Sequence, residues 1–489
     1  MSCVLLGVTL RASFLTSLPL WVDEAESGIN ALTILERGYP SDRYLGLPIY
    51  ENLLLTPAPD SDEYEFRDSS YSDRGMAIYH GWLPLYSMAA AYAVAGIQPD
   101  HDDGRPPVVR HGAQEFFRRT VVPRVPSLLF SVLLLACVYL LGKKTAGDAT
   151  AWSFLVAGAI AQPFVSFGWQ ARYYSATLAL SALTALAVWN ITRVGRWRDA
   201  TAAGLTLVLL FFTHTISFMI LAIVLAANVP FGLRHGRFSS KLFLIGAIVA
   251  IGVVPWMAWT GFLTSAAGLP SAWRLLAFPQ DFVFWFASRK GFVAVIAAFA
   301  GLALLSAVRP HGLLNRLAMA VASERHAIYF ACTWFAAAYL AFIFLIPAAS
   351  FYQSRLTLVV ALPGYLLLAL CLAAASRAVL PSAAVVVAPL VMFGLLVGRG
   401  TAELKLWRPL TPNRVETFAE VAGKWHLNAG TKLYSWPNQN LLLTYYMGLP
   451  VQSVAPVRKS FLDSYPGDIV FVETGAPYRE PDRFARELI

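Results

Sequence analysis

The chain has 489 residues, 57% of them hydrophobic and only 14% charged, against roughly 25% charged in an ordinary soluble domain. A single soluble core is excluded. The formal charge is +9, from 38 Lys+Arg against 29 Asp+Glu. In a soluble chain that surplus would point to nucleic acid, but these basic residues sit mainly between apolar blocks, where they report membrane orientation instead.

In chain order, the apolar stretches predict helical spans at 4–20, 125–141, 152–165, 175–191, 200–213, 216–230, 242–258, 292–308, 327–346, 356–375 and 379–397. Each is close to the length that crosses a hydrocarbon layer about 30 Å thick. The first starts almost at Met1, carries no basic leader and is interrupted by Arg11. It is therefore poor as a signal peptide and short as a span, which fits a truncated or misassigned start. Cys3, Cys137, Cys332 and Cys371 all lie inside apolar blocks, so no disulfide framework is readable.

After the first stretch, Trp21-Val-Asp23-Glu24-Ala-Glu26 leads into Ala25, Ile29, Leu32 and Leu35 at helical spacing, ending at Gly38 and Pro40. This predicts an amphipathic helix lying at the outer interface. Asp23 with Glu26 three residues on also has the pattern of a capping box, a purely structural use for the acid. The segment 82–96 contains Pro84 and is short for a span, so it is expected to dip without crossing.

Basic residues set the topology. Lys143 and Lys144, then Arg193, Arg196 and Arg198, then Arg234, Arg237 and Lys241, then Arg309, Arg316 and Arg325, and finally Arg377 mark five loops, with two predicted spans between each and the next. If all five are cytoplasmic, the N-terminus is cytoplasmic too, and residues 21–123 lie outside. Beyond 398 the composition changes, with Pro409, Pro412, Pro437 and Pro450 and mixed charge. Helical patterns around 414–425 and 440–447, an apolar run at 432–435 and a strand-like run at 469–473 predict a small extracytoplasmic α/β domain. The expected organisation is a polytopic all-α membrane domain, 1–398, with about eleven spans and a large outer loop 21–123, followed by the domain 399–489.

Several ionisable groups converge on the outer face. Asp23 and Glu24 follow the first span, and Arg172 sits in Trp169-Gln-Ala-Arg172-Tyr173-Tyr174 at the outer end of the third. Arg355 occupies a similar position in Phe351-Tyr352-Gln-Ser-Arg355, and His80 and His214 also fall outside or at the outer boundary. An arginine flanked by aromatics is commonly an interface anchor, and a lone histidine is commonly a hydrogen-bonded helix end. Ionisable groups at membrane depth are nevertheless functional candidates. An acid beside a basic phosphate site suits one chemistry: a carboxylate removes a proton from an acceptor while cations stabilise a departing lipid phosphate.

The order of these motifs resembles the GT-C membrane glycosyltransferases, particularly the branch of protein O-mannosyltransferases, the aminoarabinose transferase of lipid A and their bacterial relatives. The resemblance is carried by Leu18-Pro-Leu-Trp-Val-Asp23-Glu24, His80-Gly-Trp-Leu-Pro84-Leu-Tyr86, Arg124-Val-Pro-Ser127 opening a span that ends Tyr139-Leu-Leu-Gly-Lys-Lys144, Gln170-Ala-Arg172-Tyr173, and Arg355 before a span with Pro363. It implies a GT-C fold in the inner (plasma) membrane and transfer of a hexose or pentose, with inversion, from a polyprenyl-monophosphate donor to a glycan, lipid or protein acceptor outside. It further implies Asp23 as general base, Glu24 as its support, and Arg172, Tyr173 and Arg355 at the donor phosphate. His80 and His214 are left as candidate contacts to substrate or metal. The chain departs from the pattern where Ser175-Ala-Thr177 replaces an acid often found after the Arg-Tyr pair, and where Leu83-Pro84 replaces a double proline. No cofactor is required on this reading, and the departure removes the support for a divalent metal. Membrane lipid is the expected surrounding and nucleic acid is not an expected partner. The competing classes are a lipid-linked sugar transporter or flippase, which would place broken, polar spans at the midplane, and a non-catalytic polysaccharide-export partner.

Overall fold

The structure is a computed structural model that describes residues 2–16, 20–49, 53–57, 64–68, 71–78, 81–101, 111, 113–233, 238–262, 312–345, 358–403, 431–435, 439–453 and 469–472. The predicted span 292–308, the helical pattern around 414–425, His80 and Arg355 lie outside the described residues. The first half contains helices α1 (Ser2–Ala12) and α2 (Val22–Arg37), strands β1 (Arg43–Tyr44), β2 (Leu47–Pro48), β3 (Leu53–Pro57) and β4 (Tyr64–Asp68), and helices α3 (Trp82–Ala95), α4 (Ala113–Val121), α5 (Val125–Ala146), α6 (Asp148–Ile160) and α7 (Gln162–Ser166). There follow α8 (Tyr174–Arg193), α9 (Trp197–Phe211), α10 (Thr215–Gly232), α11 (Phe238–Thr260), α12 (Leu313–Ser323), α13 (Arg325–Leu345), α14 (Leu358–Val379) and α15 (Ala384–Glu403). The C-terminal part holds β5 (Lys432–Ser435), α16 (Gln439–Met447), β6 (Val451–Ser453) and β7 (Ile469–Val472). Five helical stretches among the described residues are long and apolar enough to cross a membrane: Gln114–Ala146, Tyr174–Arg193, Thr215–Gly232, Phe238–Thr260 and Leu358–Val379. The protein is mostly helical and multi-pass. Two compact units divide the chain, one formed by Met1–Ala12, Ser127–Met257 and Ala267–Arg408, the other by Ser13–Pro126, Ala258–Ala266 and Pro409–Ile489.

The first unit is a helical bundle in which α8 packs on α9 and α10, and α14 packs on α6, α12, α13 and α15. Small residues set these approaches, because helices in an apolar solvent gain most from close van der Waals contact. A Cβ on Gly204 of α9 would lie 3.0 Å from Ile248 of α11, and one on Gly252 of α11 would lie 2.9 Å from Val208 of α9, so the two helices exchange a glycine for a branched side chain twice. Ala149, Ala373, Ala384 and Ala388 form an alanine cluster between α6, α14 and α15.

Two predicted spans differ from expectation. The stretch 152–165 is broken into α6 and α7 at Ala161, which is extended (φ −65°, ψ 132°). Pro163 explains the break: it has no N–H to offer Ala159 four residues back, and its ring would collide with that carbonyl. The freed carbonyls are taken by Arg11, whose Nη1 donates to Ala159 O at 3.0 Å and Nη2 to Gly158 O at 2.6 Å. The expected first span, 4–20, is likewise shorter: α1 ends at Ala12 after 11 residues, about 17 Å of helix. Arg11 ends it as a wholly buried cation, with Nε on Ser131 Oγ at 2.5 Å and Nη1 on Gly7 O at 2.7 Å.

The second unit is built around α2, which packs on α3, α16 and β1. Every residue from Asp23 to Ile34 is buried, so over these residues α2 is enclosed by protein where its spacing predicts an open polar face. Part of its polar stripe bonds within the helix, Asn30 Nδ2 donating to Glu26 O at 3.1 Å and Thr33 Oγ1 to Asn30 O at 2.8 Å, and part outside it, Asn30 Nδ2 to Tyr71 Oη at 3.0 Å. Gly38 ends it in the left-handed region (φ 82°), its N–H on Ile34 O at 2.8 Å. A tight hairpin follows, β1 with β2, turning through Leu45 (φ 50°) and Gly46 (φ 75°), the two positive φ values of a type I′ turn. Strands β3 and β4 pair antiparallel, Leu53 opposite Asp68. Helix α3 fills the predicted segment 82–96 and stops at Gly96 (φ 70°). In the C-terminal part β5, β6 and β7 form a parallel sheet in the order β6-β5-β7, with α16 between β5 and β6. Parallel neighbours need such a crossover.

Candidate active site

Asp23 and Glu24 belong to the first turn of α2, where the helix dipole favours anions. The helix starts one residue before Asp23, so Trp21 is at the N-cap and Asp23 does not cap. Indole has no acceptor for the first-turn amides, and Glu24 reaches back to complete the turn: its Oε2 accepts the Trp21 N–H at 3.2 Å. The Asp23/Glu26 capping pattern visible in the sequence is therefore not the one used. Asp23 is 9% exposed, and its backbone carbonyl accepts from Ser27 Oγ at 3.0 Å.

Glu24 has a second and larger engagement. Arg124 grips it bidentately, Nε to Oε1 at 2.9 Å and Nη2 to Oε2 at 2.7 Å, while Nη1 donates to Leu15 O at 2.9 Å. Neither Glu24 nor Arg124 has any exposed surface. Burying two charges is costly, so such a pair is sustained only by good geometry and full hydrogen bonding, both present here. Arg124 enters the sequence reading only as the start of a span; the pairing is the role that reading misses.

A second buried charge cluster lies on the same unit. Asp100 accepts from Tyr44 Oη at 2.8 Å, from Arg119 at 3.0 Å and from His111 Nε2 at 3.0 Å. Burial alone would raise the Asp100 carboxyl, but the His111 hydrogen bond and the Arg119 charge outweigh it and hold the group below the usual carboxylate value.

The first unit, taken by itself, holds Arg172, Tyr173 and His214. Arg172, 3% exposed, sits in the turn between α7 and α8, its guanidinium 5.7 Å from the Tyr173 ring centre. Tyr173 is at the N-cap of α8 and stacks on His214 at 5.3 Å with 18° between planes. His214 is itself the N-cap of α10: its Nδ1 accepts the Ser217 N–H at 3.3 Å and lies 2.8 Å from Ser217 Oγ. Burial pushes the His214 imidazole down to about 4, so the ring is neutral at physiological pH and keeps the lone pair that capping needs. The Arg172-Tyr173 pair and His214, two separate features of the sequence, are thus brought together at two helix N-termini. Neither first turn carries an acid. Ser175 Oγ and Thr177 Oγ1, both buried, have no hydrogen-bond partner among the described residues. An arginine, two positive helix ends and spare hydroxyl donors form a setting suited to an anion. Among the described residues no group of three or more His, Cys, Asp or Glu side chains is placed to hold a metal ion.

No protein-family model and no curated protein matches the chain by sequence. Solved structures match it by fold. ArnT from Cupriavidus metallidurans bound to undecaprenyl phosphate superposes with a TM-score of 0.50 at 11% identity, over 92% of this chain and 85% of that one. The likeness, at that identity, is one of fold. The same ArnT in the apo state gives 0.47 at 13% identity, over 92% and 84%. The oligosaccharyltransferase AglB from Archaeoglobus fulgidus, in complex with an inhibitory peptide and a dolichol-phosphate, gives 0.46 at 13% identity. The match covers 92% of this chain but only 63% of AglB.

Proposed function

We propose that this chain is a membrane glycosyltransferase that moves a hexose or pentose from a polyprenyl-monophosphate donor to a glycan, lipid or protein acceptor on the extracytoplasmic face. The observation that carries the proposal is Asp23: a buried carboxylate in the first turn of a GT-C helix, whose neighbour Glu24 is locked to Arg124. A carboxylate so placed is held for chemistry with little freedom to reorient.

In the proposed reaction Asp23 takes the proton of an acceptor hydroxyl or amine. The acceptor atom bonds to the anomeric carbon as the bond from that carbon to the phosphate oxygen breaks, inverting the centre. The electron pair leaves on the polyprenyl phosphate, whose charge Arg172 stabilises, with Tyr173 orienting the guanidinium. Arg355 is assigned the same phosphate, and His80 and His214 a place near substrate. Glu24 supports Asp23 through Arg124. These atoms and charges balance with no cofactor.

The parity of basic loops supports about eleven spans, a cytoplasmic N-terminus, and residues 21–123 and 399–489 outside the inner membrane. Transfer of radiolabelled sugar from polyprenyl-phosphate donors in vesicles tests the proposal. Asp23→Asn is expected to abolish transfer while the protein still inserts; unchanged turnover would remove the assignment. Arg172→Ala is expected to weaken donor binding.

A further inference from the structure

Tyr446 of α16 is 1% exposed and stacks on Phe116 at 5.1 Å with 11° between rings. Its hydroxyl accepts the Leu20 N–H at 2.7 Å and lies 2.7 Å from Thr120 Oγ1. Thr120 Oγ1 gives its own proton to Phe116 O at 2.9 Å, so it must accept the Tyr446 proton. The relay has one direction, from the Leu20 amide through two hydroxyls to a carbonyl of α4. Burial pushes the Tyr446 phenol above its usual value, and the hydroxyl stays neutral, able to donate and accept at once.

Leu20 is fully buried and stands three residues before Asp23. Its amide precedes α2 and has no acceptor within that helix. Tyr446 therefore supplies a partner without which a buried N–H is stranded. The adjacent Tyr445 makes a parallel link: its proton goes to Arg119 O at 2.6 Å, so Tyr92 donates to it at 2.6 Å. A Cβ on Gly28 would lie 2.7 Å from the Tyr445 ring, which places that ring directly against α2.

We propose that Tyr446, from the C-terminal segment, is a positioning residue for Asp23: it fixes the backbone that delivers the base and so sets turnover without touching substrate. The inference rests on the reading of Asp23 as the base. Displacement of about 1 Å at a reacting group costs on the order of a hundredfold in rate, and Tyr446→Phe removes the one hydroxyl while keeping the stack on Phe116.

The test uses the full chain in vesicles with radiolabelled undecaprenyl-phosphate hexoses and pentoses, comparing wild type, Asp23→Asn and Tyr446→Phe, together with amide hydrogen exchange of the α2 segment. Tyr446→Phe is expected to lower kcat about tenfold or more with donor KM within about twofold, and to speed exchange at residues 20–26. If Asp23→Asn is inactive and Tyr446→Phe turns over like wild type, positioning falls and the base assignment stands. If Asp23→Asn turns over normally, both fall. Should Tyr446→Phe not insert, the wild-type Leu20 amide carries the test: slow exchange supports the relay, and exchange as fast as an open loop overturns it.

Discussion

Glu24 and Arg124, 100 residues apart in the chain, meet through two hydrogen bonds of 2.9 and 2.7 Å with neither side chain exposed. The pair ties the first turn of α2 to the residues that open α5. Truncating one partner leaves the other charge buried and alone, which costs about 3–5 kcal/mol. Arg124→Ala is therefore expected to lower the melting temperature sharply in detergent, and the double variant Glu24→Leu with Arg124→Leu to recover much of the loss. A single variant that melts like wild type would show that the pair contributes nothing to stability.

Arg11 predicts a different loss. Its guanidinium makes four hydrogen bonds, three to carbonyls and one to Ser131. Bonds to charged donors contribute about 1.5–3 kcal/mol each and are not additive. Arg11→Ala should destabilise by several kcal/mol, and Arg11→Lys, which cannot span Gly158 and Ala159 with a planar fork, should recover only part. Thermal unfolding of the three proteins checks the order.

At Gly28 the argument is steric. Any side chain there meets the Tyr445 ring at 2.7 Å and Tyr92 Oη at 2.9 Å. Overpacking of this kind costs about 1–3 kcal/mol. Gly28→Ala should lower stability within that range, measured by denaturant or thermal unfolding, and Gly28→Ala with Tyr92→Phe should be milder because one close atom is gone.

His214 gives a pH dependence with a defined sign. Its folded value, about 4, lies below the ordinary 6.5, so the unfolded chain binds the extra proton first. The stability it contributes is complete above pH 6.5 and is lost as pH falls toward 4. His214→Asn keeps an N-cap acceptor and should melt close to wild type at neutral pH with a flatter acid limb. His214→Ala should lose about 1 kcal/mol. Melting curves between pH 4 and 7 separate the two.

Much of the architecture was legible because it depends on local periodicity and length. Blocks of apolar residues became α5, α8, α10, α11 and α14 near their expected limits, α3 filled the segment 82–96, and the runs at 432–435 and 440–447 became β5 and α16. The acid at position 23 and the cation at 172 stood out for the same reason, as charges at the edges of apolar blocks. Pairings were not legible. The spacing of α2 describes one helix and says nothing of the walls that α3 and α16 build around it, so a buried helix looked amphipathic. Arg11 looked like a flaw in the first span because its acceptors are carbonyls freed by a break near residue 161, 148 residues on from Arg11 at Ala159.

Residue order alone sets which stretches favour helix or strand, since hydrophobic burial and helix propensity act over a few neighbouring residues. Long-range packing alone sets which group meets which: the Glu24 carboxylate with Arg124, the Tyr173 ring with His214, the Leu20 amide with Tyr446. The reason is physical. A buried polar group must find a partner wherever the packed chain brings one within about 3 Å, and that distance carries no record of separation along the sequence.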